Sequence, residues 1–306
     1  MITINDVREF KKIGTHGGSF HADDVFCTAF LKLINSELTV IRSRDNDELA
    51  TCDFIFDVSI DGVYNMYDHH GVDRVCRNGK DDYIPYSAFG LIWRDLGLEY
   101  LSLLIKDEEL CEKAWRSIDY KIVRGIDAED NGVKLSGEVL NICEIISALN
   151  SNWDSDKPID ESFAEAVELA KTIFESFIDR EVSKIAARDI VRESYEKSQN
   201  SIMVLKKYAP WASQLIAMDT IEKVKLVVYP GNNDEYKVEV VKKEMGSFES
   251  RMDLPLEWAG KRNNDLVAVT GVEDAIFCHP ERFIAAAKTF SGAIKLAKLA
   301  ISYNEN

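Results

Sequence analysis

Five histidines stand in the 306 residues, and four of them fall in two tight groups with aspartate. The first group is Thr15-His16-Gly17-Gly18-Ser19-Phe20-His21-Ala22-Asp23-Asp24. The second is Asp68-His69-His70, and His279 stands apart. One histidine beside one aspartate on a loop is usually structural. Ala22-Asp23-Asp24 taken alone reads as a helix start, where carboxylates favour the dipole. The joint pattern points elsewhere. Carboxylates that converge in a crevice repel one another, and protonate or separate unless a cation sits among them. Imidazole mixed with carboxylate, without thiolate, suits Mn²⁺ better than Ca²⁺ or a structural zinc, with Mg²⁺ or Co²⁺ as alternatives. Two such ions roughly 3.5–4 Å apart activate a water and stabilise both oxygens of an in-line phosphoryl displacement.

The elements that must position these groups are legible as an α/β pattern. Residues 9–15 read as a short strand running into a turn at Gly17-Gly18. Val25, Phe26, Ala29, Phe30, Leu33 and Ile34 then recur at helical spacing over 22–35. Residues 38–42 are β-branched and read as a strand, so the three elements form a βαβ unit with parallel pairing. Further strands are expected at 53–58 and 63–67, and several helices over 86–150. In an open α/β sheet ligands bind beyond the carboxyl ends of the strands. Strand ends at 15, 57 and 68 would bring His16, His21, Asp23, Asp57, Asp68, His69 and His70 towards one crevice. Asp127, in Gly125-Ile126-Asp127-Ala128-Glu129-Asp130, could join them or could be a solvated or capping group.

The stretch from Ile159 to Ser198 holds no Gly or Pro and reads as one or two long helices. After Asn200 the texture changes. Residues 223–229 and 235–241 alternate like two strands, with a hairpin loop at Pro230-Gly231-Asn232-Asn233-Asp234. Another strand is expected at 274–278, and a terminal helix from about Ser291. The organisation expected is a parallel-sheet α/β domain with helical insertions over 1–200 and a smaller α+β domain over 201–306.

Charge separates the same two parts. Lys and Arg number 37 against 53 Asp and Glu, a formal net charge of −16, and the whole excess lies before residue 200. So acidic a chain is a poor candidate for holding long duplex DNA by charge alone. The six cysteines are scattered with no C-x-x-C pair, which reads as reduced thiols in a cytoplasmic protein. The polar N-terminus has no secretory h-region, and no apolar run approaches the ~20 residues of a membrane span, so no membrane partner is expected.

Asp68-His69-His70 after a short strand resembles the signature of the DHH phosphoesterase superfamily. The opening motif is closer to one branch, the Myg-type exonucleases, whose pattern is roughly T-H-x-G-x-F-H-x-D-E, with Asp24 here in place of Glu. Arg42-Ser43-Arg44-Asp45, Asp53 to Val58, Ser87 to Leu91, Ile126 to Gly132, Pro210-Trp211, Val228-Tyr229-Pro230, Gly246 to Arg251, Leu254-Pro255 and Ile276 to His279 match in the same order. The resemblance implies a two-domain, metal-dependent phosphodiesterase, in this branch a 3′-to-5′ exonuclease acting on RNA or short single-stranded oligonucleotides. It implies metal ligands at His16, His21, Asp23, Asp57, His69 and Asp127, with Asp57 bridging two ions. Asp68 would orient an imidazole and His70 would face the scissile phosphate. Arg251, His279 and Arg282 are candidates for holding the nucleotide from the second domain.

The departures lie at the substrate edge. Asp57 is followed by Val58-Ser59-Ile60 where the family has glycines, Gly71 follows D-H-H in place of Gln, and Arg282-Phe283-Ile284-Ala285-Ala286 stands where the family tends to read G-F-I-G-G. His279 is equally open to a structural role. Arg42 and Arg44 read as ion-paired structural groups, and Trp211 and Trp258 as core. Two rival readings share the site: a small-nucleotide phosphodiesterase or pyrophosphatase, and a non-catalytic RNA-binding or scaffold protein that keeps the metals.

Overall fold

The computed structural model describes residues 1–60, 67–69, 75–77, 83–133, 141–231, 234–247 and 249–304. The chain divides into two compact units, Met1–Val182 and Ser183–Asn306. The first unit runs α1 (Ile4–Glu9), β1 (Lys12–Thr15), α2 (Ala22–Ile34), β2 (Thr39–Arg42), α3 (Asn46–Leu49), β3 (Phe54–Ile55), α4 (Ala88–Leu104), α5 (Glu108–Ile118), α6 (Arg124–Asp130), α7 (Ile142–Ser147) and α8 (Ile159–Ala186). A π-helical turn at Asp119–Val123 joins α5 to α6. The units part inside α8, upstream of the change of texture at residue 200.

The βαβ unit is present. The sheet order is β2-β1-β3, and both pairings are parallel, with Ile13 opposite Val40 and Phe54. The residues before β1 form the short helix α1, closed by a Thr3/Asp6 capping box. The expected strand at 53–58 makes its ladder only at Phe54–Ile55. Of the strand expected at 63–67, residues 61–66 lie outside the described residues. Helix α2 is buried from Ala22 to Leu31. Phe26 and Phe30 on it meet Phe89 and Trp93 of α4 and Phe174 of α8 at ring separations of 5.3–6.3 Å. Edge-to-face packing of this kind fixes the height and rotation of α2, and with it the two aspartates of its first turn.

The second unit holds α9 (Arg188–Glu196), β4 (Ile202–Val204), α10 (Ala212–Met218), β5 (Leu226–Pro230), β6 (Tyr236–Val240), α11 (Asn263–Thr270), β7 (Ala275–Cys278), β8 (Ile284–Ala287) and α12 (Phe290–Asn304). Its sheet order is β4-β5-β6-β8-β7, with β4 and β5 parallel and the rest antiparallel. Alternation along β5 sorts the side chains to two cores, as the period of two requires. Leu226 and Val228 pack with Leu296 and Ala297 of α12, whereas Val227 and Tyr229 pack with Val191 of α9 and Leu215 of α10. Trp258 and Trp211 are buried in these two clusters respectively. Among the described residues no helix is long and apolar enough to cross a membrane.

Candidate metal centre

Adjacent parallel strands deliver side chains from their carboxyl ends to the same edge. His16 follows β1 directly, and Asp57 lies two residues beyond β3. Asp57 has φ +54°, a left-handed conformation that Asp tolerates better than most residues. Its N–H donates to Tyr67 O at 3.0 Å, which draws the segment carrying Asp68 and His69 alongside. His21 caps α2 in an extended conformation, and its N–H donates to Asp24 Oδ1 at 2.8 Å. Thus one helix start, two strand ends and one loop converge.

The convergence forms two donor groups. His16, Asp24 and Asp57 offer ligand atoms within 4.8 Å of one another, and so do Asp23, Asp57 and His69. Asp57 belongs to both. Its Oδ2 is 3.4 Å from His16 Nε2, and its Oδ1 is 3.5 Å from His69 Nε2. Asp24 Oδ2, 3.6 Å from His16 Nε2, is buried and accepts no hydrogen bond. A buried carboxylate oxygen without a donor is costly, and a hard divalent cation is the partner its charge requires. Hence the donor set fits the metal implied by the sequence.

Protonation supplies the balance otherwise. Burial raises Asp24 to about 7, with Asp57 adding to the rise and His16 opposing it. Burial also lifts Asp23 well above the carboxylate range, reinforced by Asp57 and Asp130. For Asp57 burial works upwards, but hydrogen bonds from His16 and His69 outweigh it and hold the carboxyl low. For His69 burial works downwards, but Asp130 and Asp57 prevail and push it up to about 11. Metal-free protein should therefore lose stability as pH rises from about 4 to 7, because folded Asp24 keeps a proton that the unfolded chain has released. The Asp24 contribution is on the order of a few kcal/mol. Thermal melts in chelator should show the slope, and Asp24→Asn should flatten it; an unchanged slope would remove Asp24 as its source.

Other expected ligands are placed differently. His21 is exposed, its ring 5.7 Å from that of His16. It lines, with Asp23, Glu129, Asp130 and Cys143, a cavity of about 580 Å³. Asp127 is fully buried but belongs to neither donor group. Its Oδ1 accepts from Ser87 Oγ at 2.5 Å and Gly90 N at 3.1 Å, and its Oδ2 is 2.5 Å from Arg77 Nη2. Asp23 also meets the start of α4, accepting from Ala88 N at 3.0 Å and Phe89 N at 2.7 Å. That helix N-terminus thus supports two buried carboxylates through its free N–H groups. Asp68 accepts a hydrogen bond from Ser59 Oγ, and His70 lies outside the described residues. Sequence reasoning assigned no ligand role to Asp24 and did not single out Asp130, whose Oδ2 is 2.8 Å from His69 Nε2. Asp130 lies three residues after Asp127 on α6, and Asp24 occupies the last position of the opening motif.

Arg42 and Arg44 brace the histidine loop. Arg42 pairs with Asp160 at 2.8 Å and donates to Gly18 O at 2.6 Å, and Arg44 Nε donates to Gly17 O at 3.2 Å. In the second unit Arg251 turns inward: its side chain is 2% exposed and donates to Asp219 Oδ2 at 2.5 Å and Val224 O at 2.9 Å. His279 and Arg282 sit in the β7–β8 turn. His279 Nδ1 accepts from Glu281 N at 3.1 Å, while Arg282 pairs with Asp253 at 3.0 Å.

Fold and site together define an α/β protein with a candidate dinuclear metal centre at the carboxyl ends of a parallel sheet. The chain belongs to the family described as an uncharacterised protein family (UPF0160), labelled for a MYG1 exonuclease, whose model matches residues 12–301. The MYG1 protein of Schizosaccharomyces pombe is 29% identical, covering 96% of this chain and 98% of its own. The MYG1 exonucleases of Rattus norvegicus and Homo sapiens are 28% and 27% identical, over 97% and 95% of this chain and 86% of each of theirs. A solved RecJ–Mn²⁺ complex from Thermus thermophilus aligns with 98% of this chain and 53% of its own at 12% identity and a TM-score of 0.29. That likeness is too loose to carry a fold argument.

Proposed function

We propose that the chain is a Mn²⁺-dependent phosphodiesterase, an exonuclease that shortens RNA or short single-stranded oligonucleotides from the 3′ end. The observation that carries the reading is Asp57, whose two oxygens face two different imidazoles and which both donor groups share. Membership in a family whose mammalian members are named exonucleases supports it, as does the D-H-H resemblance. Divalent ions there supply Lewis acidity, which lowers the pKa of water and neutralises charge on a phosphate. The chain's own residues hold and orient. Asp23, Asp24, Asp57, His16 and His69 present the donors, and Asp130 steadies the His69 ring. Arg42 and Arg44 keep the Gly17-Gly18 loop closed behind His16. The acidic balance favours short single strands over duplex. The cysteines are scattered with no C-x-x-C pair, which suits a reducing cytoplasm.

The test is a short 5′-labelled RNA incubated with the Mn²⁺-loaded full chain. A ladder of products shortened from the 3′ end, abolished by chelator, is the expected result. Hydrolysis of dinucleotides or pyrophosphate but not of RNA would replace this reading with the small-nucleotide one. Tight RNA binding without cleavage of any phosphodiester would replace it with the scaffold one.

A further inference from the structure

The loop between α7 and α8 carries a tryptophan that the fold does not use. Trp153 is 97% exposed. The loop around it is nevertheless built. Ser155 N–H donates to Asn152 O at 3.0 Å, closing a turn with Trp153 at its second position. Ser151 Oγ bonds Lys157 O at 3.1 Å and Ser162 Oγ at 2.9 Å, closing the base of the loop. Polar bonds thus close the loop, and the indole stands exposed at its tip.

The root of this loop is tied to the metal-binding segment. The Asn150 side chain accepts from Phe20 N at 2.9 Å and donates to Phe20 O at 3.0 Å, imitating a strand pair with the residue next to His21. Three residues of chain span at most ~10 Å, so Trp153 lies within that distance of Asn150. Ser147 and Ala148, just before the root, line the cavity that also holds His21, Asp23 and Asp130. The loop that presents the exposed indole is therefore rooted beside the cavity that holds the carboxylates.

We propose that Trp153 is a stacking platform for a base of a single-stranded substrate whose phosphate lies at the metal centre. This deepens the proposed function and rests on it. The chemistry favours a base over a phosphate at this position. Asp154 and Asp156 follow the indole in sequence and repel the backbone, but a base offers a neutral π-face and N–H donors that carboxylates accept. Stacking of this kind tolerates any base, as an enzyme that removes successive nucleotides requires.

The experiment compares wild type, Trp153→Ala and Trp153→Phe as Mn²⁺-loaded full chains. The substrates are a short oligoadenylate RNA and an abasic sugar–phosphate oligomer of equal length. Trp153→Ala should raise KM for the RNA about tenfold, within the range for loss of one stacked base. It should leave kcat and abasic cleavage unchanged, and Trp153→Phe should recover most of the loss. Equal KM in Trp153→Ala and wild type, or an equal loss on the abasic oligomer, overturns the platform while leaving the nuclease reading intact. A dimer in sedimentation that Trp153→Ala dissociates, with KM unchanged, also overturns it by making the indole a contact between copies. Failure of wild type to cleave either oligomer defeats the function reading itself.

Discussion

Asp57→Asn should abolish turnover while leaving the fold in place. Asparagine is close in shape, and like aspartate it tolerates the left-handed conformation that residue 57 adopts at φ +54°. Its N–H can still donate to Tyr67 O. What is lost is one negative charge and one of two oxygens that face His16 and His69. A group that belongs to both donor sets cannot be lost from only one of them. The loss in kcat should therefore exceed the ~10–100-fold typical of a residue that merely orients a ligand. Calorimetric titration with Mn²⁺ should show fewer ions bound, and circular dichroism should match wild type. Activity within tenfold of wild type at saturating Mn²⁺ would remove Asp57 from its bridging position. Asp24→Asn sets the comparison, because Asp24 belongs to one donor group only, so its loss should be smaller.

Much of this framework is legible in the sequence because apolar side chains recur at the spacing of the element that holds them. Helix α2 shows it in Val25, Phe26, Ala29 and Phe30, and the β5–β6 hairpin shows it in alternation about Pro230-Gly231. Short or atypical elements hide. Helix α1 buries only Ile4 and Val7, too few to mark a period. Strand β8 is Ile284-Ala285-Ala286-Ala287, a run whose alanines favour helix until the antiparallel pairing with β6 claims it. At the site, residue type and strand-end position bring out His16, Asp23, Asp57 and His69. Asp24 is masked by its place in a helix start, where an acidic residue has an ordinary explanation. Only burial of its Oδ2 without a donor exposes the charge problem. The inward turn of Arg251 depends on Asp219, and that of Asp127 on Ser87 and Arg77, all far away in sequence. The glycine-rich turn seen in the resemblance has a trace here: Arg282, standing where the family has glycine, keeps φ +58°. The conformation persists with a residue that pairs to Asp253 instead of leaving an open backbone.

Gly90→Ala should be the most destabilising single methyl that can be added near the centre. A Cβ there would lie 2.1 Å from Asp127 Oδ2 and 2.6 Å from Oδ1, and a carboxylate held on three sides cannot yield. Asp127 is bound by Ser87 Oγ, by the N–H of Gly90 itself and by Arg77. If it moves, two charges are separated inside the protein, since Arg77 is 6% and Asp127 0% exposed. Breaking a buried pair costs about 3–5 kcal/mol, a large share of the ~5–15 kcal/mol that holds a typical domain together. Asp119 still faces Arg77 at 2.9 Å and softens the loss on that side only. A fall in Tm of roughly 6–20 °C is expected at ~2–4 °C per kcal/mol. The cycle with Asp127→Ala separates this cause from loss of helical geometry. Removing the carboxylate makes room for the methyl, so the double variant should melt close to Asp127→Ala alone, well short of the sum of the two losses. Strict additivity, or a wild-type Tm for Gly90→Ala, would mean that Asp127 does not lie against the start of α4. The functional corollary follows from the same contact. Asp23 is held by Ala88 and Phe89 of that first turn, so a methyl that shifts the turn moves a donor of the second group. Mn²⁺ affinity should therefore weaken in Gly90→Ala even at temperatures where the protein remains folded.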